Sequence, residues 1–115
     1  MSTSDKIVNK PSTDPFDQLV FEKGLRAKHI LLDKELDLLL VVLNNAKVLN
    51  LKLSHYPRLH QATESQLQDW KLVGGGVAVA WEQLDEDLSV KGFLKTAALN
   101  AFSNGNDDTT ERIVA

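Results

Sequence analysis

The stretch that decides the fold is LDLLLVVLNNAKVLNLKLS, residues 36–54. Its first half is almost unbroken apolar sequence, and its second half alternates. In an extended chain successive side chains point to opposite faces. Leu36, Leu38, Leu40 and Val42 therefore share one face of the first run, and Leu39, Val41 and Leu43 share the other. A strand that is apolar on both faces is expected to lie in the middle of its sheet, covered on both sides. The second run, Lys47 to Ser54, sets Leu49, Leu51 and Leu53 on one face and Asn50, Lys52 and Ser54 on the other. That is the pattern of a half-buried strand. A leucine-rich run also suits a helix, but Asn44-Asn45 between the two runs argues for a hairpin, because asparagine tolerates the left-handed backbone of tight turns.

Working outward, Arg26 to Leu32 reads as a preceding strand, separated by the polar break Asp33-Lys34-Glu35. Pro57 lacks an N–H and ends the ladder on the other side. Thr63-x-x-Gln66 fits a capping box and opens a helix over Glu64–Trp70, with Leu67 and Trp70 on one face. Gly74-Gly75-Gly76 leads into a strand, Val77 to Trp81. A closing helix follows Ser89, capped by Asp87 or Ser89. Its apolar stripe is Val90, Phe93, Leu94, Ala97 and Ala101, and Gly105 is its stop. The fold class is α+β: an antiparallel sheet from an N-terminal three-strand meander, then helix, strand, helix.

Composition bounds the rest. The 115 residues fit one domain, and 43% hydrophobic with 25% charged residues is close to globular averages. The ends are polar. Residues 1–20 and 103–115 read as flexible tails around a single domain over 21–102. A domain of that size buries only about 60% of its unfolded surface and gains from a partner. With no cysteine there are no disulfides, thiolate metal sites or cysteine nucleophiles, which suits a reducing cytoplasm. The N-terminus has no apolar core of a secretory signal. Leu38–Leu43, the longest apolar run, is far short of the ~20 residues that span a bilayer. A net charge of −3 weighs against nucleic acid as a partner, since binding it depends on neutralising phosphates.

No constellation reads as a catalytic site, and none as a cofactor or metal site. Asp85, Glu86 and Asp87 are the densest acidic group, but consecutive residues diverge in direction. Their better account is helix capping with a solvated acidic edge. The glycine triplet precedes a strand rather than a helix, so it fits neither a dinucleotide fingerprint nor a phosphate loop. His55 and His60, five residues apart across Pro57, lack the spacing of a helical zinc pair. Lys52, His55, Arg58 and His60 make at most a weakly basic rim, with Tyr56 the one aromatic among them. Trp70 and Trp81 are large anchors, and Trp81 suits the core.

The stretches Tyr56-Pro57-Arg58-Leu59, Ala62-Thr63, Trp70-Lys71-Leu72 and Trp81-Glu82-Gln83-Leu84-Asp85-Glu86-Asp87-Leu88-Ser89 with Gly92-Phe93-Leu94 resemble the domain-of-unknown-function family twenty-four forty-two of small bacterial proteins. The resemblance covers about Gly24 to Lys95. It implies the same α+β arrangement. It further implies a small protein encoded beside another in a toxin–antitoxin-like pair, or a module fused to a helix-turn-helix domain. Two positions depart from the family: Ala80 stands where a histidine is common before the signature tryptophan, and Glu82 where a proline is common after it. No helix-turn-helix follows Leu94.

The resulting expectation is a non-catalytic, cytoplasmic protein-binding module of a bacterial two-protein system, with a protein partner encoded nearby. Asp85, Glu86, Asp87, Tyr56, Arg58 and Trp70 are its candidate contacts. The alternatives are a nucleic-acid-binding transcriptional regulator and a self-associating structural protein paired through the edge of the Lys47–Ser54 or Arg26–Leu32 strand.

Overall fold

The computed structural model describes the backbone of residues 14–114 and the side chains of residues 14–102. Three strands, β1 (Ala27–Asp33), β2 (Leu38–Leu43) and β3 (Val48–Lys52), form the expected antiparallel meander. On one face the register aligns Leu32↔Leu39↔Leu51 and Ile30↔Val41↔Leu49. On the other it aligns Asp33↔Leu38↔Lys52, Leu31↔Leu40↔Asn50 and His29↔Val42↔Val48.

The turns differ from expectation in instructive ways. Leu36 and Asp37 belong to the first hairpin turn, not to β2. Asp37 takes a left-handed φ of 55°, and its carboxylate accepts from the Ser54 amide at 2.7 Å and the Ser54 hydroxyl at 2.6 Å. In the second hairpin the left-handed residue is Ala46, at φ 73°, and neither asparagine. The asparagines contribute hydrogen bonds instead. Asn44 Oδ1 accepts from the Arg26 amide, Asn44 Nδ2 donates to Gly24 O, and Asn45 Oδ1 accepts from the Lys47 amide.

A second three-stranded antiparallel sheet follows: β4 (Lys71–Val73), β5 (Ala78–Trp81) and β6 (Glu86–Ser89), in that order. Only β5 was expected. Three residues of β4 are too few to show alternation. The acids of β6 read as a helix cap because each favours a helix N-terminus. That reading of Asp85-Glu86-Asp87 is corrected. Asp85 is a left-handed turn residue at φ 52°, and Glu86 and Asp87 are strand residues.

Four α-helical segments complete the described residues. In α1 (Pro15–Asp17) Asp14 accepts from the Phe16 amide at 2.9 Å, and the chain continues as a π-helical turn over Gln18–Glu22. Residues 1–13 of the expected N-terminal tail lie outside the described residues. The remainder is anchored, because Val20 is fully buried and its carbonyl accepts from Arg26 Nη1 at 2.6 Å. Pro57 opens α2 (Pro57–His60). In α3 (Glu64–Gln68) the capping box forms as expected, with Thr63 and Gln66 bonded in both directions. The helix stops two residues short of Trp70. The long α4 (Val90–Val114) is capped by Ser89, whose hydroxyl accepts from the Gly92 amide at 3.0 Å. Its backbone passes Gly105 without stopping. The side chains of the expected C-terminal tail, 103–115, lie outside the described residues.

The core forms where the inner face of the first sheet meets the second sheet and the helices. Ile30, Leu39, Val41, Leu51 and Leu53 pack with Val79, Trp81, Leu59, Leu67, Val90 and Phe93. The indole N–H of Trp81, fully buried, donates to Leu67 O at 2.9 Å, so the largest core side chain carries no unmet polar group. Ala97 still packs on this core, but Ala101 is exposed. The stripe on α4 is therefore one turn shorter than the sequence implied.

Candidate binding surfaces

The inner face of β2 is buried through Leu39, Val41 and Leu43. Its opposite face, Leu38, Leu40 and Val42, is only half-buried and lies outside the core cluster. Flanking these three are Leu31 on β1, 50% exposed, and Val48 on β3, 51% exposed. The five aliphatic side chains share one face of the sheet by register. At one corner Trp70 meets His29 edge-on, with ring centroids 5.1 Å apart. The expectation that β2 is covered on both sides is thus corrected: among the described residues, the core covers one side only. Solvated antiparallel faces ordinarily alternate to polar residues. Here the outer rows keep half-buried leucine and valine at their centres, with the exposed Leu31 and Val48 beside them.

Of the six contacts proposed from sequence, Tyr56 and Asp87 line one shallow cleft with Phe93 and Thr96, and Asp85, Glu86 and Asp87 line a second. Arg58 meets Asp85, while Trp70 stands apart at the His29 corner. Trp70 is half-buried at the His29 corner just described. Arg58 is bound within the chain: its Nη1 donates to Asp85 O at 2.7 Å and to Leu84 O at 3.4 Å, which fixes the left-handed turn at Asp85. Tyr56 packs edge-on against Phe93 at 6.1 Å. Its hydroxyl is buried without a hydrogen bond of good geometry. Burial pushes the Tyr56 phenol up from its ordinary pKa, and the neighbouring Thr96 hydroxyl opposes the shift. Glu86 pairs with Trp81 and Asp87 with Ala80 across β5–β6, so these two acids point to opposite faces of the second sheet.

Further polar groups are engaged in the fold. Lys91 bridges to Asp17 at 2.5 Å and Asp14 at 3.4 Å, joining α4 to α1. The Asp17 hydrogen bond is the main cause that raises the Lys91 pKa. Lys71 pairs with Glu82 at 2.8 Å on the exposed surface, which raises its pKa likewise. Among the described residues no group of three or more His, Asp or Glu side chains could hold a metal ion. No described helix is long and apolar enough to cross a membrane. A second apolar surface lies on α4 where it meets α1. Phe16, Ala98, Leu99 and Phe102 line a shallow cleft of about 320 Å³ beside Lys95, with Leu99 67% and Phe102 79% exposed.

The outer-face residues Leu31 and Val48 escaped the sequence reading. The signal is the doubly apolar β2 itself, whose pattern predicts cover on both sides.

A model of the family described as protein of unknown function (DUF2442) matches residues 32–98. Two solved structures share the fold. One is the crystal structure of a protein of unknown function from Rhodospirillum rubrum ATCC 11170. It is 28% identical over 63% of this chain and 87% of that one, with a TM-score of 0.55. The other is the solution NMR structure of an uncharacterized protein from Chromobacterium violaceum, 20% identical over 84% of each chain, with a TM-score of 0.59. No curated protein matches.

Proposed function

The chain belongs to DUF2442, a family of proteins of unknown function, and on that premise we propose that it is a non-catalytic protein-binding module of a bacterial two-protein system. The observation that carries this reading is the outer face of the first sheet. Leu31, Leu38, Leu40, Val42 and Val48 stand clear of the core on a surface made rigid by two strand ladders. Covering aliphatic area there yields about 25 cal/mol per Å² removed from water. A preformed sheet also loses little entropy on binding. The partner is a protein encoded beside this one, engaged through that face. The acidic residues Asp85 and Asp87, both exposed, supply at most a charge field that speeds encounter with a basic partner.

Co-expression with the neighbouring gene product tests the reading. The two proteins are expected to co-purify, Leu40→Lys to abolish the complex, and Asp87→Lys to leave it standing with slower association. A complex indifferent to Leu40→Lys, or no complex at all, removes the proposal.

A further inference from the structure

We propose that, without another protein on it, the outer face of the first sheet is occupied by a second copy of the same chain, related by a two-fold axis running along β2. This rests on the reading of that face as the working surface, and it names a specific occupant.

The argument starts from where the charges fall. Each row across the face has one residue from β1, one from β2 and one from β3. In the end row these are Asp33, Leu38 and Lys52, an acid and a base on opposite sides of a leucine. Two antiparallel sheets stack face to face about 10 Å apart with their strands nearly aligned. A two-fold axis lying between them, roughly parallel to β2, keeps every row in place and exchanges β1 with β3. Asp33 of each copy then faces Lys52 of the other. Leu38, Leu40 and Val42 each face their own symmetry mates. One rotation thus pairs both charges twice and buries the apolar centre against itself, as an isologous dimer requires.

The other in-plane axis, across the strands, exchanges the two end rows. It sets Asp33 over His29 but Lys52 over Val48, so the lysine meets an aliphatic side chain of the other copy and only one of the two charges in each end row gains a polar partner across the interface. The axis along β2 pairs both Asp33 and Lys52 across the interface, and the charge pattern favours it for that reason. Asp33 retains a carboxylate oxygen for the pairing, because only Oδ1 accepts from the Leu36 amide.

Area sets the strength. The face presents nine residues, whereas a standard stable interface uses about 20–30 a side. The dimer is therefore weak, with Kd in the range of about 10 μM to 1 mM. Such a pair shields the apolar face at high concentration and yields it to a tighter partner.

Sedimentation velocity on the full chain from about 1 μM to 1 mM tests this directly. A monomer–dimer equilibrium is expected. Leu40→Lys sets two cations face to face and raises Kd at least about a hundredfold, while its circular dichroism melt stays cooperative because Leu40 lies outside the core. Asp33→Lys and Lys52→Asp each weaken the dimer about tenfold, and the two together bring Kd back to within about threefold of the original. The chain has no cysteine, so Leu40→Cys carries a unique thiol. A bismaleimide spanning about 10 Å is expected to link two copies through it. Absence of dimer up to the highest concentration overturns the self-pairing; co-purification with the neighbouring protein lost on Leu40→Lys would then leave the binding reading intact. A dimer that ignores Leu40→Lys, or one that the double reversal fails to restore, overturns the proposed geometry.

Discussion

The backbone amide of Ala27 donates to the carbonyl of Gly76 at 2.8 Å, tying the first strand of one sheet to the loop that feeds the middle strand of the other. The approach is so close that a Cβ on Gly76 would lie 2.2 Å from the Ala27 carbonyl oxygen. Gly76 also has φ 105°, a conformation side chains rarely adopt. The glycine triplet thus has a structural role at its last member: it lets two backbones touch.

Gly76→Ala is expected to destabilise the fold by more than about 3 kcal/mol, since neither backbone can yield without breaking the joint. Gly75→Ala is the control. Its φ is 70°, but a Cβ there meets nothing within 4 Å, so only the left-handed penalty of about 1–2 kcal/mol applies. Urea unfolding of the two variants separates the effects, and equal losses would refute the close-approach argument.

Local patterns were legible where they depend on one segment alone. The alternation of Lys47–Ser54, the Thr63–Gln66 capping box and the first turns of α4 could be read from spacing because each rule acts within a few residues. The second sheet was not legible, because Lys71–Val73 gains strand form only by pairing with Ala78–Ala80. Glu86–Ser89 misled for a different reason: its acids suit a helix entrance, yet β5 pairs with it as a strand. The outer face was visible as apolar sequence and misassigned in space. Period-two patterning says which residues share a face, not whether the same chain covers it. Arg58 and Asp85 both stand among the candidate contacts that the sequence offers. Their mutual hydrogen bond, 27 residues apart in sequence, is invisible without the fold.

Trp81 couples the second sheet to α3 through its indole N–H. Trp81→Phe removes that donor, leaves Leu67 O unmet in the core and opens a cavity. The expected loss is about 2–4 kcal/mol by equilibrium unfolding. Leu67→Ala, in contrast, keeps the carbonyl and the hydrogen bond but loses packing, about 2–5 kcal/mol. A Trp81→Phe variant as stable as the parent would mean that the bond contributes nothing.

Tyr56 carries the opposite expectation. Its hydroxyl is buried without a good hydrogen bond, so the fold bears a desolvation penalty with little return. Tyr56→Phe keeps the edge-on contact with Phe93 and removes the penalty. Stability is expected to stay level or rise by up to about 1 kcal/mol. A thermal melt lowered by several degrees would reveal a hydrogen bond from Tyr56 that the fold depends on.

Asp37 predicts a pH dependence whose sign is fixed by its partners. The Ser54 hydroxyl is the main cause that lowers its pKa below 3.8, and the Ser54 amide adds to it. Asp14 shifts the same way, chiefly through the Phe16 amide. A carboxyl whose pKa is depressed on folding stabilises the native state above its ordinary value, and that stabilisation disappears as pH falls through the folded value. The melting temperature is therefore expected to hold through neutral and mildly acidic pH and to drop below about pH 4. Asp37→Asn tolerates the left-handed φ but accepts fewer bonds and carries no charge. It is expected to melt lower than the parent near neutral pH and to show a shallower fall in acid. Ser54→Ala removes the main cause while keeping the amide bond, and its acid limb should lie between those two. Calorimetric melts of the three proteins across the acid range check the order; identical acid limbs for parent and Asp37→Asn would show that the first hairpin's aspartate is not what titrates.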